Sequence, residues 1–224
     1  MSEDPAAPLA PIAPSATDGA TDVWDQPVAH DDLRWMAEAL AMAEHGLTAG
    51  ELPIGAVVVA GGRVVGRAFT QERTQGRLLV HAELLALDQA DRTHAVTRVG
   101  TVLYTTLEPC LMCLGAAATT MVERVVFGLA SPGDGAGALA QRWDRFRVAS
   151  DLPHVRLPAI TGGVGVDRSR ELFRRFRAGR PGAGDPLASW ADTLLREPDG
   201  THRHVSVDSS PFEDAPDPEP DDTI

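Results

Sequence analysis

The amino-acid sequence predicts an α/β sandwich around one sheet. Three observations point there. Short apolar runs rich in valine alternate along the chain with segments of helical periodicity. The composition, 43 % hydrophobic and 23 % charged over 224 residues, is that of a globular domain. The longest apolar run, residues 54–60, suits a strand and falls well short of the about 18 residues that a membrane span needs.

In chain order, Leu33, Met36, Ala37, Leu40 and Ala41 recur at helical spacing and mark a first helix, with Asp31 and Asp32 as candidate caps. Residues 54–60 and 63–69 flank Gly61-Gly62, the pattern of a β-hairpin closed by a tight turn. A second helix is expected to start near His81 and to run through Leu84, Leu85 and Leu87. A strand at 101–106 follows, then a helix over 109–120. Pro109 suits its first position, where the missing N–H costs nothing. Residues 124–128 and 154–160 read as two further strands, and 167–178 as a closing helix bearing Leu172, Phe173 and Phe176.

These elements make one domain, residues 28–180, of a common size. Residues 1–27 read as a disordered Pro/Asp-rich tail, with Pro5, Pro8, Pro11 and Pro14 at every third position. Residues 181–224 read as an acidic, Pro-rich tail, interrupted by one short helix at 187–196 from Leu187, Trp190, Leu194 and Leu195. The formal charge of −12 speaks, at face value, against a nucleic-acid partner. It is unevenly placed. Residues 28–178 carry 17 Arg against 16 Asp and Glu, whereas 1–27 and 179–224 carry five and eleven acids with no Arg and three Arg. The acidity belongs to the ends, and the middle is nearly neutral. The start, Ser2-Glu3-Asp4-Pro5, is unlike a secretory signal, and two cysteines make no disulfide scaffold. The expected location is cytoplasmic, with no membrane partner.

Two segments carry chemistry: His81-Ala82-Glu83 and Pro109-Cys110-Leu111-Met112-Cys113. A Cys-x-x-Cys alone is ambiguous among redox pairs, zinc ligands and chance. With only two cysteines, a four-thiolate site within one chain is excluded. His81, Cys110 and Cys113 together leave a fourth tetrahedral position open, which separates a catalytic zinc from a structural one. Cys110 and Cys113 lie three apart at a helix start, where free N–H groups favour thiolate. Helical positions two apart point about 200° away from each other, so His81 and Glu83 share a site only if the helix begins around His81. Two thiolates and a neutral imidazole cancel the charge of Zn²⁺. A nearby carboxylate must then take the proton of its water, and Glu83 is the acid placed to do so. H-x-E followed by P-C-x-x-C is the signature of zinc nucleobase deaminases.

Leu52-Pro53-Ile54-Gly55-Ala56-Val57-Val58-Val59, His81-Ala82-Glu83 and residues 106–116 resemble the cytidine-deaminase-like superfamily. Arg124-Val125-Val126-Phe127-Gly128 and Glu171-Leu172-Phe173-Arg174-Arg175-Phe176 extend the likeness over roughly 30–178. Within it, the bacterial tRNA adenosine deaminase and guanine deaminase branch is the most similar. The resemblance implies a three-layer α/β/α sandwich with a five-stranded mixed sheet and a homodimer. It also implies a Zn²⁺ cofactor held by His81, Cys110 and Cys113, Glu83 as proton shuttle, and release of ammonia from a ring carbon. The backbone at Ala82, Leu107 and Glu108 would lie beside the reacting base. One expected residue is absent. The family places a base-contacting Asn eleven positions before the motif His, and that position is Thr70; the chain has no Asn at all. The usual Asp-Pro-Thr-Ala stretch is replaced by Leu78-Leu79-Val80 after Arg77. Thr70 can offer one hydrogen bond but cannot reproduce a bidentate amide.

Other residues have competing readings. Arg168, Arg170, Arg174, Arg175, Arg177 and Arg180 read as a solvated helix face or a phosphate-binding one. Arg73 and Arg77 read as salt-bridged loop charges or as holders of an anionic group. Trp143 and Phe146 read as core or as site lining, and Thr201-His202-Arg203-His204 as a loose tail rather than a metal clip. The function expected is a zinc-dependent hydrolytic deaminase of a nucleobase, nucleoside or related small heterocycle. The alternatives are a tRNA adenosine deaminase and a catalytically silent deaminase scaffold.

Overall fold

A computed structural model describes residues 27–93, 100–140, 155–180 and 184–196. Helix α1 (His30–Thr48) leads into the hairpin β1 (Gly55–Ala60) and β2 (Arg63–Phe69), then into the single turn α2 (Glu72–Gln75) and helix α3 (Ala82–Thr93). Strand β3 (Val102–Leu107), helix α4 (Leu111–Thr119) and strand β4 (Arg124–Leu129) follow. Strand β5 (Ala159–Thr161) and helices α5 (Val166–Ala178) and α6 (Pro186–Leu195) complete the described chain. The five strands form one mixed sheet in the order β2-β1-β3-β4-β5. β1 runs antiparallel to β2 and β3, and β3, β4 and β5 run parallel.

The period of two in the strands sorts the core into two layers. Val57 and Val59 of β1, Tyr104 and Val126 pack against Trp35, Met36, Ala39, Leu40 and Ala43 of α1. Val58, Leu103, Val125 and Phe127 face the other way, toward Ala86 and Leu87 of α3 and Leu114 and Ala117 of α4. β1 is central and buried along its whole length, which is why its sequence is a continuous apolar run rather than an alternating one. The hairpin closes through Gly61 and Gly62, with φ of +57° and +73°, as a two-glycine turn requires. At Gly55 the backbone of α1 comes so close that a Cβ would lie 2.2 Å from the Ala39 carbonyl oxygen. That glycine is a packing requirement.

Three local expectations are corrected. Neither Asp31 nor Asp32 is the N-cap of α1, although Asp32 caps from the third helical position. Ala29 is its N-cap, and Asp32, three residues on, reaches back to accept the Ala29 N–H at 2.7 Å. The buried Asp32 carboxylate also accepts the Tyr104 hydroxyl at 2.9 Å and pairs with Arg124, tying α1 to β3 and β4. Pro109 does not open α4. Cys110 is the N-cap, extended at φ −70° and ψ 171°, and the helix begins at Leu111. The fifth strand is shorter than 154–160, because only Ala159, Ile160 and Thr161 find partners on β4. His154, Trp143, Phe146 and the 201–204 run lie outside the described residues.

The short helix expected at 187–196 is α6, and it packs on α5. Ala188, Ala191 and Leu194 are buried, and Trp190 meets Phe173 edge-to-face at 5.7 Å between centroids. Asp185 caps it by accepting the N–H groups of Leu187 and Ala188, and Asp192 pairs with Arg177 at 2.8 Å. Among the described residues, no helix is long and apolar enough to cross a membrane.

Candidate functional site

The sheet order brings the start of β1 and the ends of β2, β3 and β4 to one edge. The carboxyl ends of parallel strands are where α/β folds gather their ligands. A cleft of about 290 Å³ opens there, lined by Leu52, Ile54, Thr70, Glu72, His81 and Ala82, by Glu83, Leu107, Glu108 and Cys110, and by Asp134, Leu187 and Trp190. Helix α3 starts at Ala82, and the Leu85 N–H bonds the His81 carbonyl at 3.0 Å, so His81 stands at the non-helical mouth of α3. That placement lets His81 and Glu83 reach the same cleft, although a regular helix would direct them apart.

At the floor, His81 Nδ1 lies 3.8 Å from Cys110 Sγ and 3.5 Å from Cys113 Sγ, and the two sulfurs are 3.6 Å apart. Bond lengths of about 2.3 Å to sulfur and 2.0–2.1 Å to nitrogen in a tetrahedron place two sulfurs about 3.8 Å apart and a sulfur and a nitrogen about 3.6 Å apart. The residues therefore fit a zinc ion. The sulfur separation is far beyond the about 2.05 Å of a disulfide. Cys110 and Cys113 are N-cap and third residue of α4, positions whose side chain and N–H normally meet in a cap, which explains the Cys-x-x-Cys spacing. Hydrogen bonding from Cys113 and from His81 draws the Cys110 thiol down to about 4, so it is held as the thiolate that binds metal. Cys113, sharing that contact and buried, is pushed up. Cys110 and Glu72 beside His81 raise its imidazole to about 10.

Glu83 is almost completely buried, and burial raises its carboxyl above the usual carboxylate range. The Thr105 hydroxyl donates to its Oε1 at 3.1 Å. Glu108 is raised by burial as well, but its carboxylate accepts the N–H groups of Ser131 and Gly137, both at 2.9 Å. Its side chain therefore holds the 131–137 loop against the cleft. Thr70 is 1 % exposed, and its hydroxyl donates to Glu72 Oε2 at 3.1 Å and faces the Val80 carbonyl at 3.3 Å. Glu72 Oε1 is 3.5 Å from His81 Nε2, and that contact holds the Glu72 carboxyl below its usual range.

His81, Glu83, Cys110, Thr70, Ala82, Leu107 and Glu108 all lie at the cleft, and Cys113 joins His81 and Cys110 in the sulfur cluster. Sequence reasoning did not place Leu52, Ile54, Glu72, Asp134, Leu187 and Trp190 in the site. The last two were visible as one face of a short helix, but nothing in the sequence said where that helix docks. Arg73 donates to the Gly50 carbonyl and Arg77 to Gln75, and neither lines the cleft. On and after α5, Arg170 pairs with Asp167, Arg174 with Glu171, Arg177 with Asp192 and Arg180 with Asp185. Arg175 grips Glu44 with two bonds of 2.6 and 2.8 Å.

The family model for the cytidine and deoxycytidylate deaminase zinc-binding region matches residues 29–129. The chain is 37 % identical over 153 residues to the tRNA-specific adenosine deaminase of Bacillus subtilis, covering 66 % of this chain and 95 % of that one. It is similar to the structure of a tRNA:A34 deaminase that performs A-to-I editing at the wobble position, with a TM-score of 0.54 and 31 % identity, over 62 % of this chain and 98 % of that one. The fold is also that of a guanine deaminase from Nitrosomonas europaea, with a TM-score of 0.51 at 24 % identity over 70 % of this chain and 90 % of that one.

Proposed function

Because this chain belongs to the cytidine-deaminase-like superfamily and is a zinc-dependent deaminase, the open question is its substrate, and we propose a small aminated heterocycle, a free base or nucleoside. The observation that carries this reading is the cleft. Its volume of about 290 Å³ sits at the lower end for small-molecule sites, and α6 walls it with Leu187 and Trp190. Among the described residues, no arginine lines it. A planar ring finds an aromatic surface there, and among the described lining residues a phosphate finds no arginine or lysine.

In this reading His81, Cys110 and Cys113 hold the zinc, leaving its fourth position toward the cleft. Zinc bound there supplies a Lewis acid that makes a water reactive near neutral pH. Glu83 is the catalytic acid–base. It accepts the proton that the attacking water gives up and delivers it to the departing amine. The C–O bond forms first, as the adjacent ring nitrogen takes a proton; the C–N bond then breaks once the amine is protonated, and ammonia leaves. Burial supports this role, because it keeps the carboxyl easy to protonate between the two transfers. Thr105 fixes its orientation. The backbone of Ala82 and Leu107 borders the base. Glu108 acts through the 131–137 loop, and Thr70, the expected base contact, points its hydroxyl to Glu72. A cytoplasmic homodimer is part of the same proposal.

A second reading is adenosine deamination in tRNA, favoured by the 37 % identity to a relative of that name over 95 % of its length. Ammonia release from a panel of bases and nucleosides, run beside an adenosine-containing anticodon stem-loop, separates the two. Turnover of small substrates is expected, and turnover of the RNA alone would overturn the first reading.

A further inference from the structure

We propose that Glu72, steadied by Thr70, is a positioning residue for the zinc ligand His81, and that these two side chains use the place of the family's base-reading asparagine to orient the metal site. The inference rests on the ligand assignment above and not on which substrate is turned over.

An imidazole that offers Nδ1 to a metal carries its remaining proton on Nε2. That N–H needs an acceptor, and a carboxylate there fixes the tautomer, locks the ring plane and makes the ligating nitrogen more basic. His81 presents Nδ1 to both sulfurs, and Glu72 Oε1 stands 3.5 Å from Nε2. The second carboxylate oxygen of Glu72 accepts the Thr70 hydroxyl at 3.1 Å. Thr70 borders the cleft but is almost fully buried, and its hydroxyl has protein acceptors in Glu72 and in the Val80 carbonyl at 3.3 Å.

The support continues one step further out. Glu72 sits on the single turn α2, too short to hold itself. The buried Glu51 carboxylate accepts the N–H groups of Arg73 at 3.0 Å and Thr74 at 2.6 Å, acting as a cap supplied from before β1. The Gln71 N–H bonds the Val80 carbonyl at 3.0 Å, closing the segment onto the residue before His81. Glu51 therefore fixes α2, α2 fixes Glu72, and Glu72 meets His81. Glu72 borders the cleft, and its carboxylate is held between the Thr70 hydroxyl and the His81 ring.

The test is zinc affinity, measured in the full chain by competition with a chromophoric chelator, alongside the visible absorption of the cobalt-substituted protein. Glu72→Ala is expected to weaken zinc binding by about 10- to 100-fold. Glu72→Gln, which keeps one acceptor oxygen, should recover part of the loss. Thr70→Val should fall between wild type and Glu72→Ala, and Thr70→Ser should restore wild-type affinity. The double variant Thr70→Val/Glu72→Ala should be no worse than Glu72→Ala, since both act on one contact. Zinc affinity and cobalt spectrum unchanged in folded Glu72→Ala would overturn the proposal, above all if KM for a turned-over base rose instead, which would make Glu72 a substrate contact. Should Glu72→Ala fail to fold, unchanged affinity in both Glu72→Gln and Thr70→Val would overturn it equally. Neither readout needs a substrate. Expected zinc losses in a protein that deaminates nothing would sink the substrate reading and leave this one standing.

Discussion

Replacing Trp190 by alanine tests whether α6 is a wall of the site or only a packed appendage. The helix itself should survive. Ala188, Ala191 and Leu194 stay buried, Asp185 still caps it, and the Arg177–Asp192 and Arg180–Asp185 pairs do not involve the indole. The stability cost follows from the half-buried ring. About half of the 150–250 Å² such a side chain offers, at about 25 cal/mol per Å², gives about 2–3 kcal/mol. For a domain of this size that lowers Tm by about 4–12 °C. The functional cost is separate. If a planar ring stacks on Trp190, its loss removes about 1–3 kcal/mol of binding, and KM rises about 5- to 150-fold. Zinc content and kcat should hold, because no residue near the metal moves. Ammonia release against concentration, with metal analysis and a melting curve on the same sample, reads all of these. A lowered Tm with unmoved KM would refute the reasoning and leave Trp190 as a packing partner of Phe173.

Glu83→Ala should retain zinc and lose ammonia release by about 10²-fold or more, measured under saturating substrate; an unchanged rate removes Glu83 from the mechanism. Cys110→Ser and His81→Ala should each purify with little zinc by elemental analysis, and full metal in both would sink the ligand assignment. Gly55→Ala drives a Cβ to within 2.2 Å of the Ala39 carbonyl oxygen and 2.3 Å of the Ala43 nitrogen, both backbone atoms that cannot step aside. It should cost about 1–3 kcal/mol or more in a thermal melt, and a wild-type Tm would mean that α1 is not seated as described. Deamination of an uncharged nucleoside should change little between 50 and 200 mM salt, values at which a protein making 6–10 phosphate contacts loses about 10³–10⁵ in affinity. A collapse of that size with the nucleoside would sink the reading in which no charge holds the substrate.

The elements that were legible in the sequence are those whose signal is local. The Gly61-Gly62 turn needs positive φ at both residues, and any sequence reader can see the only residue type that adopts it freely. His81 and Glu83, two apart, could share a site only at a helix start, and α3 does begin between them, at Ala82. What escaped depends on partners far away in the chain. Asp32 looked like a cap alone because its work with Tyr104 and Arg124 spans 72 and 92 residues. Glu72 sits on a four-residue turn with no periodicity to detect, and its meaning comes from His81 on one side and Glu51 on the other. Pro109 is ambiguous on rule alone, since proline suits both the first helical residue and the one before the cap. The structure shows the second arrangement, with Cys110 extended as the cap and its Sγ 3.6 Å from that of Cys113.

Charge shows most clearly why partners outweigh composition. The net −12 says little, since it belongs to the ends, and the six arginines on and after α5 say little as a count. Five of them pair with acids of the same chain. These pairs are mostly exposed, and each is worth about 0–1 kcal/mol, so their breakage would not bar a phosphate. Their effect is on the field. An arginine with a carboxylate within 4 Å offers little net charge at a Debye length of about 8–10 Å, so these five draw a polyanion less strongly than an unpaired row would. Arg175 is held by two bonds to Glu44 on α1. Arg177 on α5, and Arg180 just beyond it, hold α6 in place, and α6 carries the ring that borders the cleft. Two of the basic residues that a count would assign to a phosphate thus serve the wall of the cleft.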